Sequence, residues 1–114
     1  MTDLEDFNFD KIHALTGQDK AAVDHFTQLF ITHTLGEDWV ALNSAADEEN
    51  GSDLKELAHK MKASLDLYNI RRAGVLIREI EKKSVEPSSC KTELDELNLL
   101  LARIEKKMGD LLQG

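Results

Sequence analysis

The chain has 114 residues and a net charge of −8, with 41% hydrophobic and 32% charged residues. This length predicts one domain, residues 1–114, with a core that needs no disulfide or metal. The acidity disfavours non-specific binding to nucleic acids or anionic membranes, because phosphate groups would repel the protein. The only cysteine, Cys90, cannot form an internal disulfide, so we expect a reducing, cytoplasmic location. No apolar run is long enough for a membrane span, and the acidic N-terminus is unlike a signal peptide.

Two helices are predicted in the N-terminal part, after a loose lead-in over residues 1–7. Phe9, Ile12 and Leu15 have helical spacing and predict a short helix that ends at Gly17. Asp19 is the expected N-cap of a longer helix. The apolar side of that helix is expected to carry Val23, Phe26, Leu29 and Phe30, with His33 at its boundary. Gly36 interrupts this pattern, and Trp39, Val40 and Leu42 resume it. A kinked or broken helix is therefore expected there.

The turn Asn50-Gly51, with Ser52 as the expected N-cap, predicts the start of a third helix over residues 53–66. Its apolar stripe is expected to consist of Leu54, Leu57, Met61 and Leu65. Leu67-Tyr68-Asn69 ends this helix, and Asn69 suits a left-handed backbone position. A fourth helix over residues 70–83 is expected to bury Ile70, Ala73, Leu76, Ile77 and Ile80.

The last predicted helix covers residues 89–112, after a connector that contains Pro87. Its apolar residues follow one another at steps of three and four, as in a helix-bundle seam: Leu94, Leu97, Leu101, Ile104, Met108 and Leu111. Four substantial helices with short links and one apolar face each predict an all-α fold. We expect an antiparallel four-helix bundle with a short extra N-terminal helix.

His59 lies on the side of the third helix that faces away from the apolar stripe. At 100° per residue it is about 160° from Leu57 and Met61, so we expect its ring to point into solvent. Several charged or small residues are expected near it: Lys55, Glu56, Lys62, Ala63 and Asp66. A neutral imidazole can attack phosphorus, and the Lys62 ammonium can stabilise phosphoryl oxygens. On the helical wheel alone, however, an ordinary surface histidine explains His59 as well.

Residues 57–64 read Leu-Ala-His-Lys-Met-Lys-Ala-Ser. This segment resembles the signature of histidine phosphotransfer (HPt) domains, typically Ala-His-x-Leu-Lys-Gly-Ser. The order of helices over residues 8–112 is similar to that family as well. The resemblance implies that His59 is the phosphoacceptor and that Lys62 stabilises the phosphate, with Ala63 and Ser64 in supporting positions. Ala63 replaces the usual glycine, and Tyr68-Asn69 replaces the frequent Leu-Gly after the helix. Neither departure removes the nucleophile or the lysine.

This resemblance implies a phosphorelay intermediate, a carrier protein rather than a stand-alone enzyme. It would accept a phosphoryl group from the aspartate of one receiver domain and pass it to another receiver. The expected partners are response-regulator receiver domains or a hybrid sensor histidine kinase, and the chain itself is expected to be monomeric. No cofactor is expected apart from Mg²⁺ on the receiver. Partners are expected to dock on Lys55, Lys60, Asp66 and Leu67, and Arg71, Arg72 and Arg78 are a further candidate surface.

The other histidines and an acidic stretch lack the patterns that metal sites require. His13, His25 and His33 lack the i, i+4 spacing of two ligands on one helix face, so no metal site is predicted. The acidic stretch 47–53 lacks the ligand pattern of a calcium loop and predicts a turn. Two alternatives stay open. One is a non-catalytic helical interaction module that uses the seam of its last helix. The other is a degenerate relay domain that docks receivers without carrying phosphate.

Overall fold

The computed structural model describes residues 6–113, which consist of helices and turns without a strand. The all-α prediction is therefore confirmed for this part of the chain. The α-helices are α1 (Asp10–Thr16), α2 (Lys20–Leu29), α3 (Trp39–Asp47), α4 (Gly51–Leu67), α5 (Arg71–Lys83) and α6 (Lys91–Gln113). A π-helical segment (Phe30–Asp38) joins α2 to α3, and a 3₁₀ turn (Pro87–Cys90) precedes α6. None of the described helices is long and apolar enough to cross a membrane.

The sequence predicted a kinked or broken helix at Gly36, and the helix between Lys20 and Asp47 does not break there. It widens instead into the π-helical segment, in which the consecutive residues Thr34 and Leu35 are both buried. The predicted apolar side of α2 was partly wrong, because the buried positions are Val23 and Thr27, followed by Phe30. Phe26 and Leu29 are exposed, as are Val40 and the α1 residue Leu15, whereas Thr27 is buried with its hydroxyl bonded to Tyr68.

Helix α4 begins two residues earlier than predicted, and its N-cap is Asn50 rather than Ser52. The Asn50 side chain accepts a hydrogen bond from the Asp53 amide at 3.0 Å. Gly51 lies so close to the Ser84 carbonyl that a Cβ atom at this position would clash with its oxygen. Buried side chains follow one another along the inner side of α4 at Leu54, Ala58, Met61 and Leu65. Leu57, which was expected in this stripe, is only partly buried, and Ala58 takes the inner position.

Helices α5 and α6 complete the core. All five residues predicted to be buried on the fourth helix are buried, and one of them, Ile70, is the N-cap residue before α5. The seam of α6 is buried from Leu94 to Met108, but Leu111 is 53% exposed, contrary to prediction. Helix α4 packs most extensively on α5 and also packs on α3, and α5 packs on α6. Asn69 ends the turn after α4 with φ +53°, as expected from its tolerance of left-handed geometry.

Polar contacts fix two further regions. Asn43 on α3 and Asn98 on α6 exchange reciprocal amide hydrogen bonds of 2.9 and 3.0 Å, and Trp39 Nε1 donates to the same Asn98 oxygen at 2.7 Å. At the N-terminus, Asp6 accepts hydrogen bonds from Arg103 and Lys107. Phe7 packs against the core. Residues 6 and 7 of the predicted lead-in make these contacts with the rest of the chain, and residues 1–5 lie outside the described range.

Candidate functional site

The imidazole of His59 is on the outer face of α4, where the helical wheel predicts it. Its side chain is 70% exposed. The inner face of the same helix is held by Ala58 and Met61, both fully buried. Since these neighbours anchor the backbone in the core, the ring is presented to solvent from a fixed helical position.

Glu81 on α5 reaches across to this ring and also holds Lys62. Its Oε2 atom is 3.1 Å from His59 Nδ1, and its Oε1 atom is 2.9 Å from Lys62 Nζ. The Glu81 side chain is only 20% exposed, so it lies between α4 and α5 beneath the histidine. Sequence analysis missed Glu81. The sequence could have indicated Glu81 by its position at the edge of the apolar face of α5, where a side chain faces the neighbouring helix.

The charge of Glu81 determines which nitrogen of the His59 ring carries the proton. Hydrogen bonding from Lys62 lowers the pKa of the Glu81 carboxyl, and the bond with His59 lowers it further, against the opposing effect of burial. An ionised carboxylate only accepts hydrogen bonds, so the contact with neutral His59 requires the proton on Nδ1. Nε2 then keeps its lone pair and faces away from Glu81. The arrangement favours one tautomer of an exposed nucleophilic nitrogen, with an ammonium group held close by.

The supporting and docking residues predicted from the sequence have different surroundings. Ala63 and Lys55 are exposed, and Ser64 is half-buried. Lys60 is bound to Asp38 of the π-helical segment at 3.2 Å. Its ammonium therefore belongs to an ion pair between α4 and that segment.

Two other predicted docking residues, Asp66 and Leu67, make contacts within the protein. The Asp66 carboxylate binds Arg78 of α5, with Oδ2 2.7 Å from Nη2, and this hydrogen bond lowers the pKa of Asp66. Leu67 is half-buried and packs against the hydrophobic core, so less of it is available to a partner than expected.

The arginines at the start of α5 lie at the end of the molecule where α4 turns into α5. Arg72 donates to Glu96 of α6 at 2.7 Å, so it joins two helices. Arg71 lines an open cavity of about 320 Å³ together with Lys11, Asp66, Asn69 and Ile70. Arg78 is bound to Asp66 of the same cavity, whereas Arg72 is bound to Glu96 on α6.

Within residues 6–113, no group of three or more His, Cys, Asp or Glu side chains is arranged to hold a metal ion. His33 contacts Glu37 on its own helical segment at 2.9 Å. Cys90 is fully buried, and burial raises the pKa of its thiol, which disfavours the reactive thiolate.

Comparisons of the chain with protein-family models, with curated proteins and with solved structures gave no match. The similarity of residues 57–64 to the HPt signature therefore stays a prediction. The case for a function depends on the geometry of His59, Lys62 and Glu81.

Proposed function

We propose that this chain is a histidine phosphotransfer module that receives a phosphoryl group on His59 Nε2 and passes it on. The observation that carries the proposal is the Glu81 carboxylate, which contacts both His59 Nδ1 and Lys62 Nζ. One acceptor thereby orients an exposed imidazole and keeps a cation within the same cluster. His33, by comparison, is exposed and contacts a glutamate, but its ion pair includes no lysine.

The proposal includes an antiparallel four-helix bundle, with α1 as the extra N-terminal helix. The four members are the continuous helix from α2 to α3, followed by α4, α5 and α6. Short connections support this arrangement: three residues separate α3 from α4 and three separate α4 from α5. Links of this length favour antiparallel neighbours. The packing of α4 on both α3 and α5 is consistent with it.

In the proposed reaction, the phospho-aspartate of a receiver domain docks over α4. His59 Nε2 attacks the phosphorus in line, the bond from phosphorus to the aspartate oxygen breaks, and its electron pair returns to that carboxylate. The Nδ1 proton stays on the ring, where Glu81 stabilises the positive charge that develops. Lys62 turns toward the phosphoryl oxygens, and Mg²⁺ bound by the receiver neutralises further charge on them.

The second half of the proposed relay reverses these steps toward the aspartate of another receiver. In this role the chain is a carrier rather than a stand-alone enzyme, because both donor and acceptor come from outside. We propose a cytoplasmic, monomeric protein whose partners are receiver domains or a hybrid sensor kinase. Burial of the α6 seam within this chain supports the monomer, since that surface is already used.

The direct test is transfer from a panel of phosphorylated receiver domains, read by intact mass. Wild type should gain one phosphoryl group that is labile to acid and stable to base. The His59→Gln variant should gain none. His33→Gln is the matched control, because it removes an exposed histidine whose Nδ1 atom also contacts a glutamate. It should behave as wild type.

Two outcomes would contradict the proposal. Labelling that persists in His59→Gln would refute the site. The absence of labelling across a broad receiver panel would favour the alternative, a non-catalytic interaction module or a relay domain that only docks receivers. Co-sedimentation of the unlabelled chain with receivers would then separate those two, because only the docking domain binds them.

A further inference from the structure

The open cavity at the turn between α4 and α5 is lined by cations from two different helices. Lys11 comes from α1 and Arg71 from the start of α5, and Asp66, Asn69 and Ile70 form the rest of the wall. The cavity volume of about 320 Å³ is at the lower end of the range of small-molecule sites, roughly 300–1,000 Å³. The cavity is therefore large enough for a small ligand, and its cations favour an anionic one.

The Lys11 ammonium is held at the cavity by a neutral partner. Its Nζ atom donates to the backbone carbonyl oxygen of Asp66 at 3.0 Å. A carbonyl oxygen carries no net charge, and this bond uses one of the three N–H donors of the ammonium. The contact therefore fixes the position of the cation without neutralising it.

Arg71 differs from the other two arginines of α5. Carboxylates of the described residues are bound to Arg72 and to Arg78 but not to Arg71. A guanidinium presents its N–H donors in a planar fork that matches two oxygens of one phosphate or carboxylate group. Arg71 therefore brings to the cavity a cation that suits an oxyanion.

The Asp66 carboxylate is the negative group of the cavity wall, and Arg78 offsets its charge. Its Oδ1 atom is 3.3 Å from Arg78 Nη1, and its Oδ2 atom is 2.7 Å from Nη2. The charges of Lys11 and Arg71 are then left to a ligand. A phosphate monoester carries about −1.5 to −2 charges near pH 7, so it matches both cations, whereas one carboxylate would offset only one of them.

We propose that this cavity binds a small phosphate-containing anion, whose oxygens accept hydrogen bonds from Arg71 and Lys11. Inorganic phosphate and a small phosphate monoester share this chemistry. His59 is seven residues before Asp66 on α4, about 10 Å along the helix axis, and does not line the cavity. The site is therefore separate from the proposed phosphoacceptor, and it does not depend on the proposed function.

The test is a titration of the ¹⁵N-labelled full chain with inorganic phosphate, followed by NMR at an ionic strength held constant with chloride. Constant ionic strength keeps general screening unchanged. We expect saturable shifts of the amides of residues 69–73 and of those around Lys11, with a Kd of about 1–10 mM because the site is open to solvent. Glycerol phosphate in a second titration separates the two ligands. Tighter binding would identify a monoester, and equal affinity would identify the phosphate group alone; both support the site.

Arg71→Gln should weaken phosphate binding about tenfold, since it removes a charge-assisted contact. Lys11→Gln should weaken it about threefold, because the ammonium is an exposed point charge. Arg72→Gln is the matched control: it removes the same charge from the adjacent residue, which is bound to Glu96 and does not line the cavity. Its affinity should equal that of wild type.

Three results would overturn the inference. Equal weakening in Arg72→Gln and Arg71→Gln would trace binding to the general field of the helix end. Shifts centred on His59 and Lys62 would place the anion at the proposed phosphoacceptor instead. The absence of saturable shifts around the cavity would show that it does not bind phosphate. Failure of receivers to exchange phosphate with the chain would refute the proposed function but leave these measurements unaffected.

Discussion

Asp6 ties the N-terminal segment to α6, and its replacement by asparagine should destabilise the fold in a pH-dependent way. Hydrogen bonding from Arg103, with further contributions from Lys107, lowers the pKa of Asp6 from 3.8 to about 2. A lowering of this size corresponds to about 2.4 kcal/mol of stability. Arg103 and Lys107 are about half exposed, at 55% and 52%. Solvent screening should therefore reduce the measured loss to about 1 kcal/mol, or roughly 4 °C in Tm.

The sign of the pH dependence follows from the lowered pKa. The carboxylate contributes its full stabilisation above about pH 4, and that contribution is lost as the pH falls to about 2. Urea unfolding of wild type and Asp6→Asn, followed by circular dichroism, should show a gap at neutral pH that closes across this range. Asp110→Asn is the control, because its ion pair with Lys106 is long, at 3.9 Å, and exposed. A gap that is absent at neutral pH, or that is unchanged in acid, would refute the reasoning.

Three further substitutions test the site and the packing around it. Lys62→Ala should slow transfer from a phosphorylated receiver about tenfold with unchanged helicity, since a group that stabilises charge is lost from a partly exposed site; an unaltered rate would remove Lys62 from the mechanism. Gly51→Ala should cost about 1–3 kcal/mol in thermal unfolding because its Cβ clashes with the Ser84 carbonyl oxygen. Gly109→Ala, which meets nothing within 4 Å, should not be destabilising. Tyr68→Phe should cost about 1 kcal/mol in urea unfolding, because it leaves the buried Thr27 hydroxyl unpaired; an equally stable variant would contradict that role.

Helical periodicity predicted most of the core because it reports burial within one regular helix. The α5 positions and the α6 seam up to Met108 were predicted correctly. The burial predictions were wrong where another effect outweighs helical periodicity. Phe26 and Leu29 were misplaced because Thr27, rather than an apolar residue, occupies the inner position between Val23 and Phe30. Thr27 was overlooked because a hydroxyl is not apolar, although a partner such as Tyr68 permits its burial.

The sequence predicted only the part of the candidate site whose residues are close together along the chain. His59 and Lys62 are three residues apart on one helix, so spacing alone places them on the same face. Glu81 lies 22 residues after His59, on another helix. Its position depends on how α4 and α5 align after the turn at Asn69, where Gly74 leaves room for Asp66 and Arg78 to meet. Periodicity within a single helix carries no information about that alignment.

The paired amides of Asn43 and Asn98 have a consequence that burial of apolar surface lacks. Leucine side chains tolerate sliding of one helix past another, because one apolar contact replaces a similar one. A shift of α6 by one turn would instead leave both amides and the Trp39 indole without partners, at a cost of about 1–3 kcal/mol each if they stayed buried. Two leucines in their place could hold α3 and α6 together as strongly, but they would allow several registers of one helix along the other. The asparagines therefore select one register of α6 along α3.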